Sequence, residues 1–286
     1  MRIFQFAAAA AGASAAYMLW QLQELMRFNK TRYTVHSDKL KERHRFVVLS
    51  DLHLWRYGRH NRRLLTAIRD EAPEAVFFPG DLIVHTKPER FFVAEEFIRE
   101  LVKIAPVYFS NGNHESRLEC ETHENFNAYQ RLKKRMQALG VHILNNDSEV
   151  FVSKGDCIVV HGLELPLSYY RKGRETPLAE KELLRCLKTA DADGFHVLLA
   201  HTPKYTPEYF AWGADLCLSG HYHGGLVCIP GIGSVISPQF ELFPKHSFGR
   251  FEKDGHVALV SRGLGTHTFH VRVFNRSELL VVEAGS

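Results

Sequence analysis

The sequence predicts a layered α/β fold in which two sheets pack face to face with helices outside. Three observations lead there. The first half alternates short apolar runs with amphipathic stretches, an order that calls for a partly parallel sheet. The second half holds more strand-like runs than helices. Five of the strands end in polar motifs, as expected where a sheet presents a site beyond the carboxyl ends of its strands. The chain of 286 residues is 45% hydrophobic and 24% charged, which suits a folded body and excludes disorder. Its net charge of +4 is too small a bias to suggest nucleic acid, and no nucleic-acid partner is expected. Five cysteines (Cys120, Cys157, Cys186, Cys217, Cys228) without a CxxC pair exclude a disulfide framework and a zinc knuckle. Seventeen histidines are the compositional outlier.

The elements follow in order. Residues 3–20 carry no formal charge, and as a hydrophobic helix they would span ~27 Å, near a bilayer's hydrocarbon thickness. A single-pass N-terminal anchor in the cell membrane is therefore expected over residues 1–26. A signal peptide cleaved near Ala13-Ser14-Ala15 and a buried helix are the alternatives. Residues 27–45 read as a basic linker with the first strand, holding seven Lys/Arg against Asp38 and Glu42. This flank would stay in the cytoplasm by the positive-inside rule, rest on anionic headgroups, or be a solvated linker. Residues 46–286 form one further domain.

Within it, 46–49, 75–78 and 106–109 are short apolar runs that read as buried strands. Helical periodicity separates them over 61–71 and 89–103, and a polar helix follows over 124–139. Further strands are expected at 141–144, 150–153, 157–161, 196–200, 214–218, 256–261, 271–274 and 279–283. Helices are expected over 178–188 and 206–212.

Strand 46–49 runs into Ser50-Asp51-Leu52-His53, and strand 75–78 into Pro79-Gly80-Asp81. Strand 106–109 leads to Asn111-Gly112-Asn113-His114-Glu115, strand 196–200 to His201, and strand 214–218 to Gly220-His221-Tyr222-His223-Gly224-Gly225. Each motif alone has an ordinary reading as a turn or an exposed loop. Together they place acids and imidazoles at one edge of the core, where unpartnered burial is costly and a metal ion is a strong partner.

Asp51-x-His53, Gly80-Asp81, Gly112-Asn113-His114-Glu115, His201 and Gly220-His221-x-His223 resemble the motifs of the calcineurin-like metallophosphoesterases. Gly224-Gly225, Pro230-Gly231-Ile232-Gly233 and Ser261-Arg262-Gly263-Leu264-Gly265 are most similar to the YkuE-like bacterial branch, although Asn275-Arg276-Ser277-Glu278 departs from its tail. The resemblance covers residues 46–283 and implies a four-layer αββα sandwich of the metallo-dependent phosphatase type. It implies two divalent metal ions (Mn, Fe or Zn), one on Asp51, His53, Asp81 and His223, the other on Asp81, Asn113, His201 and His221. Asp81 bridges, and a hydroxide shared by the ions attacks phosphorus. The resemblance makes His114 catalytic, steadying the transition state or protonating the leaving oxygen. Two carboxylates and a neutral Asn113 leave such a site with excess positive charge, which favours an anionic ester.

Val84 stands where purple acid phosphatases carry tyrosine, and residues 83–87 lack the Asp-Arg-Gly of the Ser/Thr phosphatases. Arg56, Arg59 and Arg117 are candidate phosphate clamps, and His267 and His270 are candidates to line the cleft. The function expected is a membrane-tethered phosphoesterase acting on a phosphate ester, lipid-linked if the anchor holds the cleft near headgroups. The alternatives are a pyrophosphatase on a nucleotide-linked lipid precursor of UDP-sugar type and a non-catalytic scaffold.

Overall fold

The computed structural model describes residues 2–171, 176–187, 190, 193–225, 227–229, 232–237, 242–266 and 270–286. In chain order the elements are α1 (Arg2–Leu25), β1 (Phe28–His36), β2 (His44–Val48), α2 (Arg62–Asp70), β3 (Ala75–Phe78), α3 (Phe91–Leu101), β4 (Val107–Phe109), α4 (Asn113–Leu118), α5 (Phe126–Ala138), β5 (Val141–Ile143), β6 (Asp147–Ser153) and β7 (Asp156–Leu163). They continue as α6 (Glu180–Cys186), β8 (Phe195–Ala200), α7 (Thr206–Trp212), β9 (Leu216–Ser219), β10 (Val227–Ile229), β11 (Gly233–Ile236), β12 (Gly249–Lys253), β13 (His256–Val260) and β14 (Ser277–Gly285).

Two six-stranded sheets result, ordered β1-β14-β2-β3-β4-β5 and β12-β13-β9-β8-β7-β6, with β10-β11 as a separate hairpin. The runs β2 to β5 and β7-β8-β9-β13 are parallel, while β14, β6 and β12 join them antiparallel. Strand alternation sorts the side chains into layers. Phe46, Val48 and Phe77 point into the space between the sheets and meet Val197, Leu199, Leu216 and Leu218 from the other sheet. Val47, Val76 and Phe78 face the opposite way, onto Leu64 and Ile68 of α2 and Phe97 and Ile98 of α3. Leu198 and Cys217 face out under Leu183 of α6 and Tyr209 of α7. The order is therefore helices, sheet, sheet, helices.

Residues 2–25 are helical, but no helix among the described residues is long and apolar enough to cross a membrane. The membrane anchor expected over residues 3–20 is overturned, and the case for a lipid-linked substrate falls with it. Eight of those eighteen residues are alanine, whose single methyl adds little transfer energy, and Gln5, Gly12 and Ser14 weaken the stretch further. The last turn of α1 instead docks on the body. Gln21 pairs with the backbone of Arg272, Glu24 with Arg276, and the Trp55 indole N–H donates to Leu25 O at 3.1 Å.

The basic run after α1 is part of a sheet: β1 pairs in parallel with β14 along its whole length. Several of its cations have partners on the body, with Lys30 and Arg32 on buried Glu71 (2.8 and 2.6 Å) and Lys39 on Asp215 (2.9 Å). The strand expected at 271–274 does not form. It contributes one bridge, Val227 to Val273, because Arg272 turns inward and its guanidinium binds loop carbonyls. All five cysteines are free, with Cys120 and Cys157 exposed.

Candidate metal centre

Each sheet delivers side chains to the same edge. Asp51 and His53 follow β2, Asp81 follows β3, and Asn113 opens α4 after β4. His201 follows β8, and His221 and His223 follow β9. The strands are parallel, so their carboxyl ends point one way and the seven residues converge. His53 Nε2 lies 3.6 Å from Asp81 Oδ2, His201 Nε2 3.2 Å from Asp81 Oδ2, and His223 Nε2 3.4 Å from Asp51 Oδ1. Their donor atoms form overlapping groups within 4.8 Å of one another, Asp51-His53-His223, Asp51-Asp81-His201 and His53-Asp81-His114, all buried.

Backbone carbonyls fix three of the rings. His53 Nδ1 donates to Ile83 O (3.1 Å), His201 Nδ1 to Pro79 O (2.8 Å) and His223 Nδ1 to Gly265 O (3.2 Å). A carbonyl only accepts, so Nδ1 holds a proton in each, and the Nε2 atoms of His53 and His223 face each other across the cluster while His201 Nε2 faces the Asp81 carboxylate. His53 Nε2 and His223 Nε2 stand 3.2 Å apart. The Asn113 carboxamide lies 2.8 Å from His221 Nδ1 and 3.3 Å from His201 Nε2. With its oxygen inward it meets only ring nitrogens. Turned over, its N–H donates to them and its oxygen accepts from Arg117 Nη1 at 2.7 Å. Lone pairs aimed at lone pairs fit a divalent cation, and the oxygen-inward carboxamide is the orientation that would serve it.

Strained backbone accompanies the cluster. Five of the seven residues have positive φ: Asp51 (51°), His53 (48°), Asp81 (59°), His221 (71°) and His223 (51°). Left-handed non-glycine residues cost of order 1–3 kcal/mol each and persist only where surroundings hold them. Here the holding groups are visible. Asp51 N donates to Gly80 O (3.1 Å), His53 N to Asp81 O (3.0 Å) and His221 N to Asp51 Oδ1 (3.0 Å). Buried Glu115 accepts from the N–H groups of Asp81, Ile83 and Gly112 at 2.9 to 3.1 Å, clamping two of the loops together. The two loops touch so closely that a Cβ on Gly112 would sit 2.2 Å from Asp81 Oδ1.

The acids and imidazoles of the cluster offset one another's charge. Burial pushes Asp51 up to about 6, with His201 drawing it down and Asp81 pushing it higher. Burial also opposes ionised Asp81, yet His201 and His114 hold it well below the ordinary carboxylate range. His201 is raised to about 9, as Asp81 and Asp51 overcome the burial that favours its neutral ring. Burial and the His201 charge drive His221 well down.

His114 stands beside the cluster, its ring centroid 4.8 Å from that of His53. Its Nδ1 accepts from His85 N (3.3 Å) and lies 3.1 Å from His85 Nδ1. Arg117 reaches Asn113 O at 3.2 Å and stays at the rim of the site. Arg56 pairs with Glu96 at 3.0 Å and Arg59 with His60, both exposed and outside the cluster. His270 is exposed and bonds Thr266 at 2.7 Å, while His267 lies outside the described residues. Sequence reasoning missed His85 and Tyr170, whose ring edges onto His221 with centroids 5.1 Å apart. It also missed Asn275, which holds His223 O at 2.7 Å, and the wholly buried Arg272. His85 could have been sought beside the Gly-Asp motif, but no pattern marks the other three.

A layered α/β body with this donor set defines a metal-dependent phosphoric ester hydrolase. Residues 44–225 match the calcineurin-like phosphoesterases, and the chain belongs to that family. It is 24% identical to the metallophosphoesterase YkuE of Bacillus subtilis over 96% of this chain and 93% of that one. A metallophosphoesterase of Aquifex aeolicus is likewise 24% identical, over 88% and 89% of the two chains. The sulfate thiohydrolase SoxB of Thermus thermophilus shares the fold, with a TM-score of 0.50 and 14% identity over 83% of this chain and 53% of that one.

Proposed function

We propose that this chain hydrolyses phosphate esters with a pair of divalent cations, Mn, Fe or Zn. Asp51, His53, Asp81 and His223 would hold one, and Asp81, Asn113, His201 and His221 the other, with Asp81 shared. Bound there, the cations would supply Lewis acidity and a water acidified for attack at neutral pH. The chain's own groups do the rest. Asp51 and Asp81 bring two negative charges and Asn113 brings none, so the loaded site keeps a positive excess that draws an anionic ester. The backbone N–H of His85 fixes Nδ1 of His114 as an acceptor, which leaves its transferable proton on Nε2. From there His114 protonates the departing oxygen.

The observation that supports this reading is the meeting of buried acceptors, His53 Nε2 against His223 Nε2 and the Asn113 carboxamide against two ring nitrogens. The test uses the full chain loaded with Mn and offered p-nitrophenyl phosphate and bis(p-nitrophenyl) phosphate. Hydrolysis of either is expected. Asp81→Asn should lower kcat at least ~10²-fold with loss of bound metal. His114→Ala should lower it by ~10²–10⁴-fold with metal retained. Undiminished turnover by Asp81→Asn would overturn the proposal.

A further inference from the structure

Beside the donor cluster lies a cavity of about 290 Å³ whose wall includes the His53 ring. Three cations line it, Arg56, Lys87 and Arg90, together with Thr266 and the imidazole of His270, and no acidic residue is among the described lining. Two of these cations are held in place. Arg56 reaches outward to Glu96 (3.0 Å) with its guanidinium 5.4 Å from the Phe92 ring centroid, and Arg90 Nη2 donates to Leu54 O (3.3 Å). The half-buried Lys87 has no hydrogen-bond or ion-pair partner for its ammonium among the described residues. Trp55 closes one side, its ring tilted against His270 with centroids 5.9 Å apart and its N–H committed to Leu25 O. Like charges gathered in a recess repel one another, and an anion relieves that repulsion.

From this placement we infer that the cavity receives a second phosphate joined to the scissile one, so that the preferred substrates are diphosphate esters. The inference rests on the phosphoesterase reading. An ester centred on the Asp81 cluster extends past the shared His53 wall into the cavity. The Arg90 guanidinium and the Lys87 ammonium match phosphate oxygens, which accept from several donors at once.

The test compares inorganic phosphate with methylenediphosphonate, a diphosphate whose bridging carbon resists hydrolysis, as ligands of the Mn-loaded full chain in calorimetric titrations. Wild-type protein should prefer methylenediphosphonate. Lys87→Ala should reduce the ratio of the two dissociation constants several-fold, and Lys87→Ala with Arg90→Ala by about tenfold, because a charge-assisted contact is worth that order. Melting curves check that both variants fold. A ratio unmoved in both overturns the assignment of the cavity. If aryl esters are not hydrolysed but the ratio falls, the cavity assignment stands and only the hydrolytic reading fails. If esters are hydrolysed and the ratio stays, the reverse holds.

Discussion

Replacing Arg272 with methionine removes a guanidinium that is 1% exposed and donates to four carbonyls: Arg262 O (2.9 Å), Asn275 O (3.3 Å), Gly263 O (3.3 Å) and Gly265 O (2.8 Å). Two of them keep another donor, Gly263 O from Glu278 N and Gly265 O from His223 Nδ1, both at 3.2 Å. Methionine therefore strands Arg262 O and Asn275 O, at about 1–3 kcal/mol each. Relief of a buried charge offsets part of this, since burial already lowers the Arg272 pKa. A net loss of ~2–4 kcal/mol follows, which lowers Tm by roughly 5–10 °C in a chain of this size. The same loop orients His223, so Mn affinity should fall about 10–100-fold. Urea denaturation of the metal-free protein and Mn titration calorimetry measure the two effects. A variant matching wild type in both would refute the assignment of Arg272 as the tie that holds this loop.

Gly220→Ala should abolish tight Mn binding in equilibrium dialysis, because its Cβ would fall 1.8 Å from Ser50 Oγ and 2.1 Å from Asp51 Oδ2. Acid should loosen the contact between the sheets. Buried His44 bridges Glu74 (2.8 Å) and Asp156 (2.9 Å), and Glu74 is held down to about 2 despite its burial by Lys154, Ser153 and His44. The folded pKa lies below the unfolded value of roughly 4.3, so this stability is complete above that pH and drains as pH falls toward 2. Glu74→Gln should flatten the dependence of Tm on pH over that window, and an unchanged curve would discount the bridge. Chelation with EDTA should lower Tm by several degrees, with Mn restoring it, because the cation binds only the folded donor set.

Much of the candidate site was legible because each of its motifs follows an apolar strand, and strand ends are positions that sequence marks well. Asp51, His53, Asp81, His201, His221 and His223 could be placed at one edge from hydrophobic runs and polar endings alone. Their left-handed backbone could not, since it is imposed by contacts such as those of Glu115 with loops far apart in the chain. Three misreadings have specific causes. Val271-Arg272-Val273-Phe274 alternates like a half-exposed strand, but its arginine is the inward residue, stabilised by carbonyls that only the folded loop supplies. The basic stretch after residue 27 read as a linker with its role left open, because Glu71, Asp215 and Glu283, the acids that pair with it, lie tens to hundreds of residues away. The N-terminal helix was legible as a helix. The anchor was read from its length and lack of charge, which do not register how little eight alanines contribute to membrane transfer.

Seven side chains from both sheets would together surround divalent cations. Anomalous diffraction from crystals soaked in Mn tests it most directly. Two anomalous peaks are predicted, one against Asp51, His53 and His223, the other against Asn113, His201 and His221, with Asp81 reaching both. An absence of anomalous density between these residues, in crystals whose lattice shows the cavity accessible to solvent, would contradict it.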